Sequence, residues 1–162
     1  MLSNLLKFIP VFVFLLVGGG AFAEPCLRDS GDVVVIEDGG QVYHAQVVAN
    51  YIAHIGARDL RNSSGVRLTN YAAILQQDRA NLHKTGRNDG DGAFADGWDD
   101  HFITLQRRSE ISTARFVTDC WMSPRDTQAL KDAIEDGQPI GLWVLAFYQP
   151  NGGLALYISG VN

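Results

Sequence analysis

The chain has 162 residues, 46% of them hydrophobic, and its 18 acidic residues outnumber its 13 lysines and arginines, for a net charge of −5. That length and apolar content suffice for one globular domain with its own core. Because no cluster of lysine and arginine is present to neutralise phosphates, the composition argues against nucleic-acid binding and against attraction to anionic lipid.

The N-terminal segment 1–23 predicts a secretory signal peptide. Lys7 precedes an apolar run of about ten residues, and Ala21–Ala23 fits a cleavage site of the A-x-A type. The alternative is a membrane anchor, but spanning a bilayer takes roughly twenty apolar residues. We therefore expect that residues 1–23 are removed, that the remainder does not insert into a membrane, and that the protein is secreted or periplasmic. Residues 24–162 then form a single α+β domain.

The first elements of that domain are a strand and an ambiguous segment. The β-branched run at 32–36 predicts a strand, and Asp38–Gly40 predicts a turn. Residues 41–56 carry apolar side chains at alternate positions, as a strand requires, and also at helical spacing. The length of the segment and its lack of an internal breaker favour a helix.

A second predicted helix covers residues 70–84, with Thr69 or Asn70 as its cap and Gly86 after its last turn. Weak helical character follows at 101–111. The next segment, 112–121, is typical of a strand.

The last elements are the clearest. Ser123 is a helix cap with Pro124 in the first helical position and Asp126 in the first turn, and Gly137 ends that helix. Two apolar runs then flank Pro150–Gly153, which predicts a β-hairpin. Together the elements predict an α+β fold: a mostly antiparallel sheet of about four strands, with about three helices on one face and a C-terminal β-hairpin.

The two cysteines, Cys26 and Cys120, both follow the predicted signal peptide. In an oxidising compartment one disulfide between them is the simplest outcome. The alternative is a reactive thiol or a metal ligand, but neither cysteine belongs to a C-x-x-C motif.

An acidic side chain interrupts the apolar face of the helix at 70–84. Asp78 falls among apolar residues at helical spacing, and a carboxylate that faces a core needs a charged or hydrogen-bonding partner. One interpretation is structural: Asp78 pairs with an arginine such as Arg67 or Arg115, or accepts backbone N–H groups and fixes a loop. The other is that this face lines a pocket in which Asp78 serves as a base or ligand.

Further polar candidates lie on the neighbouring face of the same helix. Arg79 and His83 are four residues apart and flank Asn81. Such a group can bind an anion, with Arg79 and Asn81 as binding residues, but a solvated surface pair is the simpler interpretation.

The segment 89–100 is rich in aspartate and glycine. Asp89 and Asp91 fit the start of an EF-hand loop, but the later positions do not, so an irregular calcium site made of Asp89, Asp91, Asp96 and Asp99 is the remaining cation hypothesis. The competing interpretation is a solvated loop, fixed to the domain by Phe94 and Trp98. We favour the loop and predict no cofactor.

Catalytic motifs give little support for an enzyme. His101 adjoins two aspartates that can orient its imidazole, but the chain contains no H-E-x-x-H, G-x-S-x-G or S-x-x-K motif. The aromatic residues Trp143, Tyr148 and Tyr157 of the hairpin are expected in the core, with an exposed binding face as the alternative.

Three functional hypotheses remain. The first is a small exported binding or accessory module of the cell envelope or periplasm, with an unknown protein or an envelope ligand as its partner. The second is an exported hydrolase that uses Asp78 with His83 or His101. The third is a cation-binding module on the loop 89–100.

Overall fold

A closed barrel of six strands organises the chain in the computed structural model, which describes residues 24–30, 33–90 and 95–161. The predicted signal peptide, residues 1–23, lies outside the described residues. The strands are β1 (Cys26–Asp29), β2 (Val33–Asp38), β3 (Gln41–Ile55), β4 (Arg115–Asp119), β5 (Ile140–Tyr148) and β6 (Leu154–Val161). Their order around the barrel is β1-β2-β3-β5-β6-β4.

The barrel corrects the predicted open, mostly antiparallel sheet of about four strands. The chain contains both helices and strands, as predicted, but the sheet is mixed and closes on itself. Closure depends on parallel pairing of β4 with β1 and with β6. Cys26 of β1 pairs with Thr118 of β4, and contacts between residues so distant in sequence leave no local pattern from which they can be predicted.

Strand β3 replaces the helix predicted over residues 41–56. Gly39 and Gly40 have φ angles of 58° and 81°, which a two-residue hairpin turn requires, and they set Asp38 opposite Gln41. The turn therefore commits the following residues to pair with β2. β3 pairs with β2 along its first part and with β5 along its second part, and the alternation of apolar residues outweighs their helical spacing.

A bulge between Val47 and Ala49 divides β3 into two halves. Before it, Ala45 and Val47 belong to the cluster that fills the barrel; after it, Ala49 and Tyr51 face the helices. The extra residue thus turns the same odd-numbered apolar series from one layer of the core to the other.

The core has two layers separated by the sheet. The inner layer fills the barrel and draws on all six strands; its buried members are Leu27, Val34, Ile36, Ala45, Val117, Leu145, Phe147, Ala155 and Tyr157. The outer layer joins the other face of β3, β5 and β6 to the helices, with Ile74, Leu75, Ile111 and Ile134 as fully buried helical contributions.

The helices are α1 (Tyr71–Thr85), α2 (Leu105–Glu110) and α3 (Pro124–Asp136), with a short 3-10 helix at Ile111–Thr113. Asn70 caps α1 by accepting the backbone N–H groups of Ala72 and Ala73, and Gly86 ends it in the left-handed conformation. Ser123 caps α3 as predicted. None of the helices in the described part of the chain has the length and hydropathy needed to cross a membrane.

The predicted disulfide between Cys26 and Cys120 is present, with a Cα–Cα distance of 4.7 Å. It lies at the seam of the barrel, where β1 and β4 share only the pairs Cys26–Thr118 and Leu27–Asp119. A covalent link at this short seam holds the first strand in the barrel.

Candidate functional site

A buried group of charges lies between α1 and the segment 95–99. Arg79 is fully buried and points from α1 toward β3. Its Nε donates to Asp78 Oδ2 at 2.8 Å and its Nη1 to Asp99 Oδ2 at 3.3 Å, while its Nη2 lies 3.6 Å from Asp96 Oδ1. One guanidinium thus neutralises carboxylates from two segments of the chain.

The same guanidinium also contacts the backbone and an aromatic ring. Nη1 donates to Gly97 O at 2.7 Å and Nη2 donates to Ile52 O at 3.4 Å. The Arg79 Cζ lies 4.1 Å from the centre of the Tyr51 ring, which is a cation–π contact. Arg79 therefore joins α1, β3 and the segment 95–99 at one point.

His83 extends this group by one turn of α1. Its side chain is 1% exposed, and its Nε2 lies 3.0 Å from Asp99 Oδ2. The other oxygen of Asp99 accepts the backbone N–H of Phe102 at 2.6 Å, and Trp98 contacts the His83 ring edge-on. The prediction that Arg79 and His83 form a solvated surface pair is wrong, since both side chains are buried.

Asn81, predicted as a binding residue, contacts protein groups instead. Its Nδ2 donates to Asp59 Oδ1 at 2.8 Å, and its Oδ1 accepts from Gln77 Nε2 at 2.8 Å. Asp59 in turn accepts the N–H of Gly56, the residue after β3. These bonds tie α1 to the end of β3.

Burial and pairing shift the protonation equilibria of this group. Burial raises the pKa of the Asp78 carboxyl well above its usual value, and the charge of Arg79 only partly offsets it. Burial also raises the pKa of Asp59. For Arg79, burial favours the neutral form, but Asp78 outweighs it and the pKa is raised.

The structure does not bring the predicted hydrolase residues together at a solvent-accessible point. The Asp78 side chain is 1% exposed and its partner is Arg79, not the predicted Arg67 or Arg115. His101 belongs to a different group, in which Tyr148 Oη lies 3.4 Å from its Nε2 and donates to Glu110 at 2.6 Å. Burial and Arg107 lower the pKa of His101.

Three of the four predicted calcium ligands are described, and each of these has protein partners. Asp96 accepts the backbone N–H groups of His54 and Asp89 at 2.7 and 2.8 Å. The oxygens of Asp99 contact Arg79, His83 and the N–H of Phe102. Asp89 pairs with Arg58 at 3.6 Å. Asp91 and the predicted anchor Phe94 lie outside the described residues. Asp96 and Asp99 are buried, so this end of the segment is not the solvated loop that the sequence predicts.

Cysteine and acidic side chains close enough to hold a metal occur once among the described residues, at Cys26, Glu37 and Cys120. Both sulfur atoms of that group are joined in the disulfide. They are therefore not thiolate ligands.

The segment 95–99 seals the end of one edge of β3. In an antiparallel strand the N–H and C=O of one residue point to the same side, and successive residues point to opposite sides. Gly97 N donates to Ile52 O at 2.8 Å and His54 N donates to Asp96 Oδ1 at 2.7 Å. The backbone N–H and C=O groups of Ile52 and His54 therefore point away from β5. A Cβ on Gly97 would approach Ile52 N to 3.0 Å, which explains glycine there.

The start of the same edge is paired with β2, and the last pair among the described residues is Val33 with Gln46. Between Gln46 and Ile52, no described residue pairs with this edge. Asn50 has the same orientation as Ile52 and His54, and among the described residues no loop, turn or cap hydrogen bond reaches its backbone. Its N–H and C=O therefore face outward, and no described residue pairs with them.

A groove of about 680 Å³ follows this open stretch, and we name it the β3 groove. Its lining residues are Ser30, Gln46, Val47, Val48, Ala49, Asn50, Trp143 and Leu145. None of these side chains is charged. Trp143 Nε1 donates to Asn50 Oδ1 at 2.7 Å, which fixes the amide plane and leaves its Nδ2 without a partner among the described residues.

Sequence reasoning did not identify the β3 groove. The only relevant signal was the alternation of aromatic residues in the hairpin, which gave an exposed face as an alternative to the core. Tyr157 is in the core at 3% exposure, whereas Trp143 is partly exposed and lines the groove. Comparison of the chain with protein-family models, curated proteins and solved structures gives no match.

Proposed function

We propose that the protein is an exported binding or accessory module of the cell envelope and that it binds its ligand in the β3 groove. The observation that carries this proposal is the open stretch of β3 beside Trp143, in a molecule that seals the rest of that edge. Binding sites are concave and combine apolar surface with a few polar groups, and the lining of the groove has this character.

Export is supported by two features of the chain. The N-terminal segment 1–23 has the composition of a signal peptide, and Cys26 and Cys120 form a disulfide. Disulfides persist in oxidising compartments and are rare in the reducing cytosol.

Burial of the charged candidates favours binding over hydrolysis. A general base must come within hydrogen-bond reach of its substrate, and Asp78 and His83 are each 1% exposed. Their partners are Arg79 and Asp99, which hold the fold together. The cation hypothesis loses support for a similar reason, because backbone N–H groups occupy the oxygens of Asp96.

Sedimentation with washed cell-envelope preparations tests the proposal. Protein produced from the full-length reading frame is compared with Trp143→Ala and with the matched control Trp121→Ala, since Trp121 is 82% exposed and lies outside the groove. Tryptophan side chains often dominate binding energies, so we expect at least about tenfold weaker binding for Trp143→Ala and unchanged binding for the control. Equal binding by all forms, with folding verified by urea denaturation, would refute the role of the groove.

A further inference from the structure

The open stretch of β3 has the geometry of a site for strand addition. We propose that the β3 groove binds an extended, uncharged peptide segment, which pairs with β3 as an added strand; this rests on the proposed function. In strand addition, backbone hydrogen bonds provide affinity and pockets for alternate side chains provide specificity.

The backbone of Asn50 provides the hydrogen-bonding groups. The backbone groups of Ile52 and His54 bond to the segment 95–99, on the side of β3 away from β5. Because alternate residues of a strand share an orientation, the N–H and C=O of Asn50 point to the same side. A peptide strand added at this edge presents one backbone N–H and one C=O to Asn50. Their spacing is the same as that with which β2 pairs along the earlier part of the edge.

The two neighbours on the edge limit the length of the peptide. Among the described residues, β2 pairs with β3 as far as Gln46, and Gly97 covers Ile52. With a rise of about 3.3 Å per residue, the open stretch accommodates roughly three or four peptide residues in register with β3. Longer ligands must leave the sheet at both ends.

The walls of the groove select the side chains. Asn50 is opposite Leu145 in the pairing of β3 with β5, so Asn50, Leu145 and Trp143 share one face of the sheet. Alternate peptide side chains point to that face. Because none of the described lining residues is charged, a charged peptide residue there would lose water without gaining a partner from them, so we expect the peptide to be uncharged at those positions.

Anionic and cationic small ligands fit this groove poorly. A phosphate or carboxylate needs arginine or lysine, and a metal ion needs carboxylates, and neither type of residue is among the described residues that line the groove. A neutral saccharide has compatible polarity, but it does not pair with the N–H and C=O of a strand edge. It is therefore a distinct outcome of the test.

The probe is a peptide selected from a random twelve-residue library displayed on phage, using protein produced from the full-length reading frame. The selected peptide is synthesised with a single N-methyl group at each successive position, because N-methylation removes one backbone donor. We expect at least tenfold loss of affinity at alternate positions and little change between them. In ¹⁵N-labelled protein, the Asn50 amide and the Trp143 indole signals should shift on binding.

Substitution of Asn50 provides a second, independent readout. Asn50→Ala keeps the backbone N–H and loses the side chain, whereas Asn50→Pro loses both; an outward-facing N–H can be lost without breaking the pairing with β5. We expect Asn50→Pro to bind the selected peptide at least tenfold more weakly than Asn50→Ala. If Asn50→Pro fails to fold, the N-methyl series and the ¹⁵N shifts decide alone.

The outcomes separate this inference from the proposed function. Peptides that shift neither Asn50 nor Trp143, or that show no alternation on N-methylation, overturn strand addition. The same holds if no peptide is selected, or if a neutral oligosaccharide shifts the Trp143 indole signal and no peptide does. In each case Trp143-dependent binding to cell envelopes would leave the proposed function standing, whereas its loss would remove both.

Discussion

One edge of β3 contains two stretches that differ in how the fold treats them. At Ile52 and His54, the segment 95–99 covers the backbone, and Arg79 holds that segment in place from inside the protein. At Asn50 nothing described covers the backbone, and a groove with Trp143 lies beside it. Exposed edges risk unwanted pairing, and proteins usually block them. We therefore propose that the part of this edge that no described residue covers is kept free for a partner.

The buried charges belong to the sealed stretch, and this explains why residues resembling a catalytic group have no access to substrate. Their chemistry is used to attach a loop. The largest expected effects therefore come from breaking that attachment, and smaller ones from changes elsewhere.

Arg79→Leu should produce the largest loss of stability. It leaves Asp78, Asp96 and Asp99 buried without their common cation, and removal of one partner from a buried ionic group costs about 3–5 kcal/mol. Urea denaturation measures the free energy of unfolding. The control is Arg107→Leu, whose exposed pair with Glu110 should contribute about 1 kcal/mol or less. Similar losses for both variants would mean that the buried group does not hold the segment 95–99.

Removal of the disulfide should have the next largest effect. The sealed and the open stretch of β3 both depend on the closed barrel. Where the barrel closes, β1 and β4 share only two register pairs beside the disulfide. The link between Cys26 and Cys120 closes a loop with a sequence separation of 94 residues. Substitution of both cysteines by serine should reduce the free energy of unfolding by about 2–4 kcal/mol. A change below about 1 kcal/mol would show that the seam is stable without it.

Asp78→Asn should have a smaller effect that depends on pH. Burial raises the folded-state pKa of Asp78, so its contribution to stability is complete below the unfolded pKa of about 3.9 and is lost as pH rises through the folded pKa. Because asparagine does not titrate, the Asp78→Asn variant does not lose this stability as pH rises. Its stability relative to the unsubstituted protein should therefore increase, by roughly 1 kcal/mol, between acidic and neutral pH. Urea midpoints at several pH values test this, and a difference that is constant or decreases with pH contradicts it.

Local signals in the sequence predicted the elements that local chemistry determines. Ser123 with Pro124 begins α3, Asn70 caps α1, and the turn at Pro150–Gly153 joins β5 to β6. Each of these depends on residues only a few positions apart. The disulfide was predictable because the chain has two cysteines in all.

Elements that depend on distant partners could not be predicted in this way. Residues 41–55 satisfy both periodicities, and only pairing with β2 and β5 makes them a strand. No local pattern predicted a strand before residue 32, yet Cys26–Asp29 forms β1 and closes the barrel.

The candidate site shows the same division. The sequence indicated that Asp78 needs a partner but not that the next residue, Arg79, is that partner. It gave no indication of the β3 groove, because the groove depends on which segments lie beside β3 and where Gly97 contacts it. Those positions are properties of the assembled fold.

Amide hydrogen exchange of the native, unliganded protein, followed by NMR, tests the central claim most directly. It compares the backbone N–H of Asn50 with those of His54, which donates to Asp96, and Tyr51, which faces β5. The account predicts rapid exchange at Asn50, close to that of an unstructured chain, and strong protection at His54 and Tyr51. Protection at Asn50 equal to that at His54 would show that the edge is sealed throughout, and would contradict the account.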